Sequence, residues 1–382
     1  MRTFKSNSIV TVSIKNILYN YDKIYSYVKK PIMAVLKANA YGLGLKRISY
    51  ALYLHGINMF AVAYYKEAIE IISQVKRFNT REIITILVLS EFIDKEKSQQ
   101  ASKYNVNLIC SIYNMKDLEY VCKNYDKNYK YALYFDTGFT RLGIFHHLVQ
   151  DVRKKISQSD ISEPKIIVSH FANTNNNCDK SQKHTKIQYL RFKQISKLFT
   201  KSQLSISGSN SIFLEKKYHM DFIKCGKALY GLIKSKKPKL KNCFSLYAKV
   251  LQVQKISKNN SIGYEQTFIS KKAMKIAVIS AGYADGVSSL LSFDNTTKEN
   301  QKKYSHQCSI KNYKAKIIGK VSMDLTTIDV THIPDSFLRK NQIVEIFGDN
   351  TESLIDIARM IDSNVYEFLL DFANRTKIKY LK

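Results

Sequence analysis

The 382-residue chain predicts an α/β protein, an N-terminal (β/α)8 TIM-like barrel followed by a mainly β C-terminal domain. Two observations carry that expectation. Short apolar runs alternate with helix-period stretches through the first two thirds, and beyond the lysine-rich stretch around Pro238 the long helical spacers disappear. A third is composition: 45% hydrophobic and 24% charged residues supply a large core, while 13 Gly and 4 Pro are too few for a collagen-like or low-complexity chain.

In chain order the candidate barrel strands are Ile32–Leu36, Met59–Ala63, Ile83–Leu89, Val106–Cys110, Tyr131–Phe135, Ile166–His170, Leu204–Ser207 and Lys227–Tyr230. Helix-period stretches between them include Lys46–Leu54, Lys66–Ser73, Met115–Cys122 and Lys183–Leu198. Successive strands start about 23–38 residues apart, the length of one βα unit, and eight such units in about 235 residues match a closed barrel. A doubly wound sheet is the second choice, because no Gly-x-Gly-x-x-Gly turn follows the first strand. The run from Lys234 to Lys241 reads as a solvated linker, so the expected domains are 1–238 and 239–382. In the second, β-branched runs recur at Tyr247–Val253, Ala277–Ser280, Ile317–Ile318, Thr326–Val330 and Ile343–Ile346, with a helix near Leu354–Ile361.

The formal charge is +30, from 61 basic against 31 acidic residues. The basic residues are mostly lysines spread along the whole chain without Arg-rich clusters, so no nucleic-acid partner is expected. Apolar runs such as Ile83–Leu89 have strand length, so no membrane span is expected. The polar start Met1-Arg2-Thr3-Phe4-Lys5-Ser6 does not read as a signal peptide, and a cytoplasmic protein is expected. Six cysteines stand at Cys110, Cys122, Cys178, Cys225, Cys243 and Cys308, with no Cys-x-x-Cys pair and no histidine at zinc spacing. They read as reduced thiols, and no metal site is expected.

The sharpest local feature is Ile32-Met33-Ala34-Val35-Leu36-Lys37-Ala38-Asn39-Ala40-Tyr41-Gly42-Leu43-Gly44, an apolar strand ending in a lysine and followed by a Gly-rich turn into a helix. Strand C-termini face the active site of a barrel. A lysine emerging there is partly desolvated, which lowers its pKa and makes its amine a nucleophile toward carbonyls. By position alone, a solvated strand-end lysine is an equal alternative in so basic a chain.

Further segments, all but one marked by glycine, follow in order. They are Asp136-Thr137-Gly138-Phe139-Thr140-Arg141-Leu142-Gly143, Ser169-His170-Phe171-Ala172, Gly226-Lys227-Ala228-Leu229-Tyr230-Gly231 and Ile262-Gly263-Tyr264-Glu265-Gln266-Thr267-Phe268. Gly282-Tyr283-Ala284-Asp285-Gly286 and Gly319-Lys320-Val321-Ser322-Met323-Asp324 complete the series. With Val35-Leu36-Lys37-Ala38-Asn39-Ala40-Tyr41-Gly42, these seven segments resemble the alanine racemase family in order along nearly the whole chain.

That resemblance implies a pyridoxal-phosphate (PLP) enzyme that interconverts L- and D-alanine for peptidoglycan, with Lys37 as the cofactor-bearing lysine and one acid/base. Tyr264 would be the second, on the opposite face of the substrate, since racemisation removes a proton from one side and returns one to the other. The bland reading of Tyr264 is one of 26 tyrosines packing in a β domain. The resemblance also implies that Tyr41 and Tyr366 bind the phosphate, together with backbone N–H groups around Ser209, Gly226 and Lys227. Ser211 is the alternative to Ser209. His170, with a basic residue, would lower the pKa of Tyr264. Arg141 and the Met323 backbone would receive the substrate carboxylate, Tyr283 would line the entrance, and Asp324 would steady its loop. Tyr264 would reach into a partner subunit's barrel, which implies a homodimer with shared active sites.

Three positions depart from the family pattern. Lys224 stands where the family places an arginine on the cofactor's ring nitrogen; it is cationic but lacks the planar fork. Tyr134 stands where many members carry a carbamylated lysine that positions Arg141. Ser205-Ile206-Ser207-Gly208-Ser209-Asn210-Ser211 replaces the family's shorter serine segment. A racemase of another amino acid such as serine, and a non-catalytic PLP-binding protein of the same fold, are the alternative readings.

Overall fold

The computed structural model describes residues 7–75, 82–174, 179–235, 237–296 and 305–381. Cys178, Lys236 and the first six residues lie outside them. The chain divides into two compact units, one made of residues 18–40 and 44–240, the other of residues 1–17, 41–43 and 241–382.

Strand β1 (Ile9–Ser13) belongs to the second unit, and the first unit begins its sheet at β2 (Ile32–Val35). It continues with β3 (Met59–Val62), β4 (Ile84–Val88), β5 (Val106–Ile112), β6 (Tyr131–Asp136), the short β7 (Ile144–Phe145), β8 (Ile166–Val168), β9 (Gln203–Ser205) and β10 (Ile223–Cys225). Eight of these pair in parallel in the order β10-β2-β3-β4-β5-β6-β8-β9, with β7 alongside β6. Helices Leu45–Leu54, Tyr65–Val75, Lys95–Ser102, Met115–Asn124, Val149–Ser157 and Asp179–Ser196 alternate with the strands. This is the (β/α)8 architecture expected from the spacing.

Every second residue of the strands points inward. Met33, Val35, Ala61, Leu87, Ile109, Ala132, Tyr134, Ile166, Val168 and Phe222 therefore form one buried cluster. One expected strand is corrected. The eighth is Ile223–Cys225, and Lys227–Tyr230 is a turn, closed by hydrogen bonds from Leu229 N–H to Gly226 O (2.9 Å) and from Gly231 N–H to Ala228 O (3.1 Å). The apolar content of Ala228-Leu229-Tyr230 reflects burial of that turn, not a strand.

In the second unit the strands are β11 (Phe244–Ile256), β12 (Ser261–Ile262), β13 (Phe268–Ile269), β14 (Met274–Ile279), β15 (Gln307–Ile310), β16 (Tyr313–Ile317), β17 (Thr326–Asp329), β18 (Ile343–Phe347) and β19 (Lys377–Leu381). The main sheet runs β14-β17-β16-β15-β18-β11-β1-β19, and β14 also pairs with β11, so six strands close into a ring. Strand β1 is antiparallel to β11 and parallel to β19, which is why residues 1–17 group with this unit despite their place in the sequence. Helix Leu354–Met360 meets expectation, while Val365–Arg375 and β19 are further elements. Among the described residues no helix is long and apolar enough to cross a membrane.

Candidate active site

Lys37 leaves the end of β2 and opens a left-handed turn rather than passing directly into the glycines. Ala38, Asn39, Ala40 and Tyr41 have φ of 53°, 55°, 54° and 57°. Left-handed helical backbone costs L-residues about 1–2 kcal/mol each, so other contacts must hold four in a row. Ala40 N–H donates to Leu36 O (2.8 Å) and Gly44 N–H to Asn39 O (2.9 Å). Leu45 N–H donates to Asn39 Oδ1 (2.8 Å). Ala38 N–H donates to Glu67 Oε1, and the other oxygen of that carboxylate accepts from Ala63 N–H (2.8 Å) and Tyr64 N–H (3.3 Å). Glu67 thus ties the lysine turn to the end of β3. The half-buried Lys37 amine has its pKa lowered, first by burial and then by the Arg141 charge, with Glu67 acting in the opposite direction.

Arg141 lies on the loop after β6. The Asp136 carboxylate accepts from three successive backbone N–H groups, Gly138 (2.7 Å), Phe139 (2.9 Å) and Thr140 (3.2 Å), which organises the loop. At its far end Gly143 has φ of 127°, and a Cβ there would lie 2.5 Å from Asp136 N. Only glycine fits both constraints.

His170 follows β8 and packs against Gly208, where a Cβ would lie 2.6 Å from His170 Cε1. Burial, then the charges of Lys224, Arg141 and Lys37, bring His170 down to about 3, so the ring is neutral at physiological pH. Lys224, on β10, is itself buried (6% exposed), and burial brings it down to about 7. Its ammonium donates to Ser169 O, Ser205 O and Ser205 Oγ, each at 3.1 Å.

Ser209 faces the turn after β10: Gly226 N–H (2.9 Å) and Ala228 N–H (3.4 Å) both point at its Oγ. Ser211 is buried within its own turn, accepting from Gly208 N–H (2.8 Å) and donating to Gly208 O (2.9 Å). Lys227 lies at the head of the same turn as Gly226, its amine pKa lowered by burial.

The remaining predicted residues lie in the second unit. Tyr264 occupies the loop between the paired strands β12 and β13 and is 69% exposed. Its backbone neighbour Gly263 has φ of 75°, and Glu265 is ion-paired with Lys320 (2.5 Å). Tyr283 (45% exposed) and Met323 (54% exposed) sit on two loops held together by Tyr283 N–H to Ser322 O and Ala284 N–H to Met323 O, both 3.0 Å. A Cβ at Gly282 would lie 2.1 Å from Ser322 O, so this approach needs glycine. Asp324 pairs with Arg375, which also grips the buried Asp285. Tyr41 groups with this unit, and its ring stacks on Tyr366 with centroids 5.5 Å apart.

Sequence reasoning missed Glu67 and Arg375. Glu67 is one of several acids in a first helical turn, and nothing local marks its bond to residue 38. Arg375 lies 90 residues from Asp285.

The barrel groups suit an aldehyde bearing a phosphate. Lys37 offers an amine of lowered pKa, and the Gly226 and Ala228 N–H groups converge on one point, where they are held by the Ser209 hydroxyl oxygen. Among the described residues no three His, Cys, Asp or Glu side chains gather as a metal would require.

Residues 12–234 match the alanine racemase N-terminal domain family, and residues 243–380 match the alanine racemase C-terminal domain family. The alanine racemase of Rickettsia canadensis is 31% identical over 381 residues, covering 98% of this chain and 99% of that protein. That of Brucella canis is 29% identical over 394 residues, covering 98% and 93%. The crystal structure of alanine racemase from Bartonella henselae with covalently bound pyridoxal phosphate superposes with a TM-score of 0.82 at 27% identity, over 98% of this chain and 100% of that one. With both domains matched in order and relatives aligned over almost the full length, the chain belongs to the alanine racemase family.

Proposed function

We propose that this chain is a PLP-dependent alanine racemase that works as a homodimer by a two-base mechanism. The observation that carries the reading is the Lys37 turn: a strained, braced backbone presents an amine of lowered pKa in the same cationic barrel region as Arg141. Strain of this kind is retained where a side chain must be aimed.

When bound, PLP delocalises the electron pair left when the substrate's α-proton departs. Lys37 would hold the cofactor and move the proton on one face. Ser209, with the Gly226 and Lys227 backbone, would cup the phosphate, and Tyr41 and Tyr366 would close over it. Lys224 and the neutral His170 would line the barrel side. Arg141 and Met323 would take the carboxylate, Tyr283 would bound the entrance, and Tyr264 of the partner subunit would serve the opposite face. The exposure of Tyr264, Tyr283, Leu290, Met323 and Leu325 supports a partner for this surface. The five described cysteines are all free thiols, which supports a reducing, cytoplasmic compartment.

The test mixes two inactive proteins. If sites are shared between subunits, Lys37→Ala and Tyr264→Phe chains refolded together regain about a quarter of wild-type D-alanine formation, because half of the dimers are hybrids with one intact site. No regain, with hybrid dimers present, would sink the shared site.

Glu67→Ala is expected to release the Lys37 turn. Loss of a charge-assisted hydrogen bond is worth roughly 1.5–3 kcal/mol, so PLP should be retained at least about tenfold less tightly. Ultrafiltration of the loaded protein measures this, and unchanged retention would show that Glu67 does not brace the turn.

A further inference from the structure

The long helix Asp179–Ser196 carries a buried stripe of Ser181, Thr185, Gln188, Phe192 and Ile195, apolar only toward its C-terminal end. A buried polar group costs free energy unless it is hydrogen-bonded, so each of the three polar side chains needs a partner. Ser181 Oγ (3.3 Å) and Thr185 Oγ1 (2.9 Å) both donate to Asn173 O. Gln188 is fully buried and makes more bonds. Its Oε1 accepts from Ala172 N–H (2.9 Å) and its Nε2 donates to His170 O (3.0 Å). The carboxamide thus pairs with segment 170–172 as a peptide of a neighbouring strand would.

The same Nε2 also reaches the other loop, donating to Thr137 Oγ1 (3.4 Å). The Thr137 hydroxyl proton is then left for Ser169 Oγ, 2.9 Å away, which sets the direction of that bond. The two loops meet again through the rings of Phe139 and His170, with centroids 5.7 Å apart. Gly138 lets the helix come this close. Its φ is 128°, and a Cβ there would lie 3.2 Å from Arg191 Nη1, 3.3 Å from His184 Cε1 and 3.4 Å from Gln188 Cγ. Arg191 donates to Thr137 O (3.0 Å) and His184 Nε2 lies 2.9 Å from Gly138 O. Those two bonds go to the 136–143 loop, whereas the bonds of Gln188 go to both loops.

We propose that Gln188 is a positioning residue that holds the loop carrying Arg141 and the segment carrying His170 in register with one another. This deepens the racemase reading above and rests on it. An apolar side chain of similar size would serve packing alone. The carboxamide adds a planar link of fixed length between two strand-end loops. Slack between them would displace the guanidinium that receives the substrate carboxylate.

The test uses PLP-loaded protein, read by amide hydrogen exchange of segments 136–143 and 169–172 and by NMR titration with propionate, a carboxylate with no α-amine. Gln188→Leu keeps the bulk and removes every bond of the carboxamide. It should speed exchange in both segments and weaken propionate binding, each by about two- to tenfold, the worth of a neutral hydrogen bond. Gln188→Glu keeps the shape and the acceptor for Ala172 N–H but loses the donors. It should act in the same direction, and it serves if the apolar variant does not fold. Arg191→Met should loosen segment 136–143 and leave 169–172 unchanged. Faster exchange in only one segment of the Gln188 variants, or in neither, would overturn the link. So would equal loosening of both segments by Arg191→Met, because the whole helix face would then hold them. Faster exchange in both segments with unchanged propionate affinity would overturn the positioning role and leave Gln188 a structural residue. Wild-type protein that forms no D-alanine, with the exchange and propionate responses as expected, would refute the racemase reading and leave the Gln188 link standing.

Discussion

Lys37→Ala is expected to lower alanine racemisation by at least roughly 10²–10⁴-fold, the range for removing an acid/base group, and to abolish retention of PLP through gel filtration. The expectation comes from the environment of the amine. Burial is the main force lowering its pKa, the Arg141 charge adds to it, and Glu67 opposes both without reversing the direction. A lowered pKa means a larger neutral, nucleophilic fraction near pH 7–8 than an ordinary lysine has. The sign is testable in the wild-type protein. As pH rises the amine loses its proton, so the rate at which cofactor-free protein recaptures PLP should climb and then level off below 10.5, the ordinary lysine value. Absorbance of the reloaded protein measures it, and a plateau at or above that value would contradict the lowered amine. Chiral analysis of alanine follows the loss of activity, and a Lys37→Ala protein that racemises at the wild-type rate would remove Lys37 from the mechanism.

Tyr264→Phe should reduce racemisation by roughly 10²–10⁴-fold with the fold intact. The side chain is 69% exposed in the single chain and sits on the tip of the β12–β13 ribbon, so losing one oxygen disturbs no core. The informative readout is deuterium exchange at the α-carbon in D2O. With Lys37 still present, proton NMR should show exchange from one alanine enantiomer without inversion, while exchange from the other is lost. Equal residual exchange from both enantiomers would mean that Tyr264 is not a face-specific base. Full racemisation by the variant would assign the second face to another residue.

How much of this was legible in the sequence follows the range of the forces involved. Barrel strands buried on both faces read as contiguous apolar runs, and the helices between them carry their own 3.6-residue period, so the order of elements is a local property of the chain. Segments such as 35–42 and 136–143 are likewise contiguous, because a loop at a strand end positions its own side chains. The exception among the barrel strands is instructive. Ile223–Cys225 is three residues long and holds a lysine, so its pattern is weaker than that of the buried turn beside it.

By itself, then, the sequence determined the alternation of strands and helices, the change to β texture past residue 238, and the residues that could carry the chemistry. The tertiary structure alone decided what those residues meet. The left-handed turn after Lys37 is held by Glu67, 29 residues away. The Lys224 ammonium is shared among acceptors on Ser169 and Ser205, and β1 finds its partners in β11 and β19 at the other end of the chain. Even the loop from Asp136 to Gly143 returns to its own strand only because Gly143 comes within contact distance of β6 and the Asp136 carboxylate takes three backbone N–H groups. Such contacts depend on strand order and chain reversal, which bring together groups whose local sequence carries no mark of the pairing.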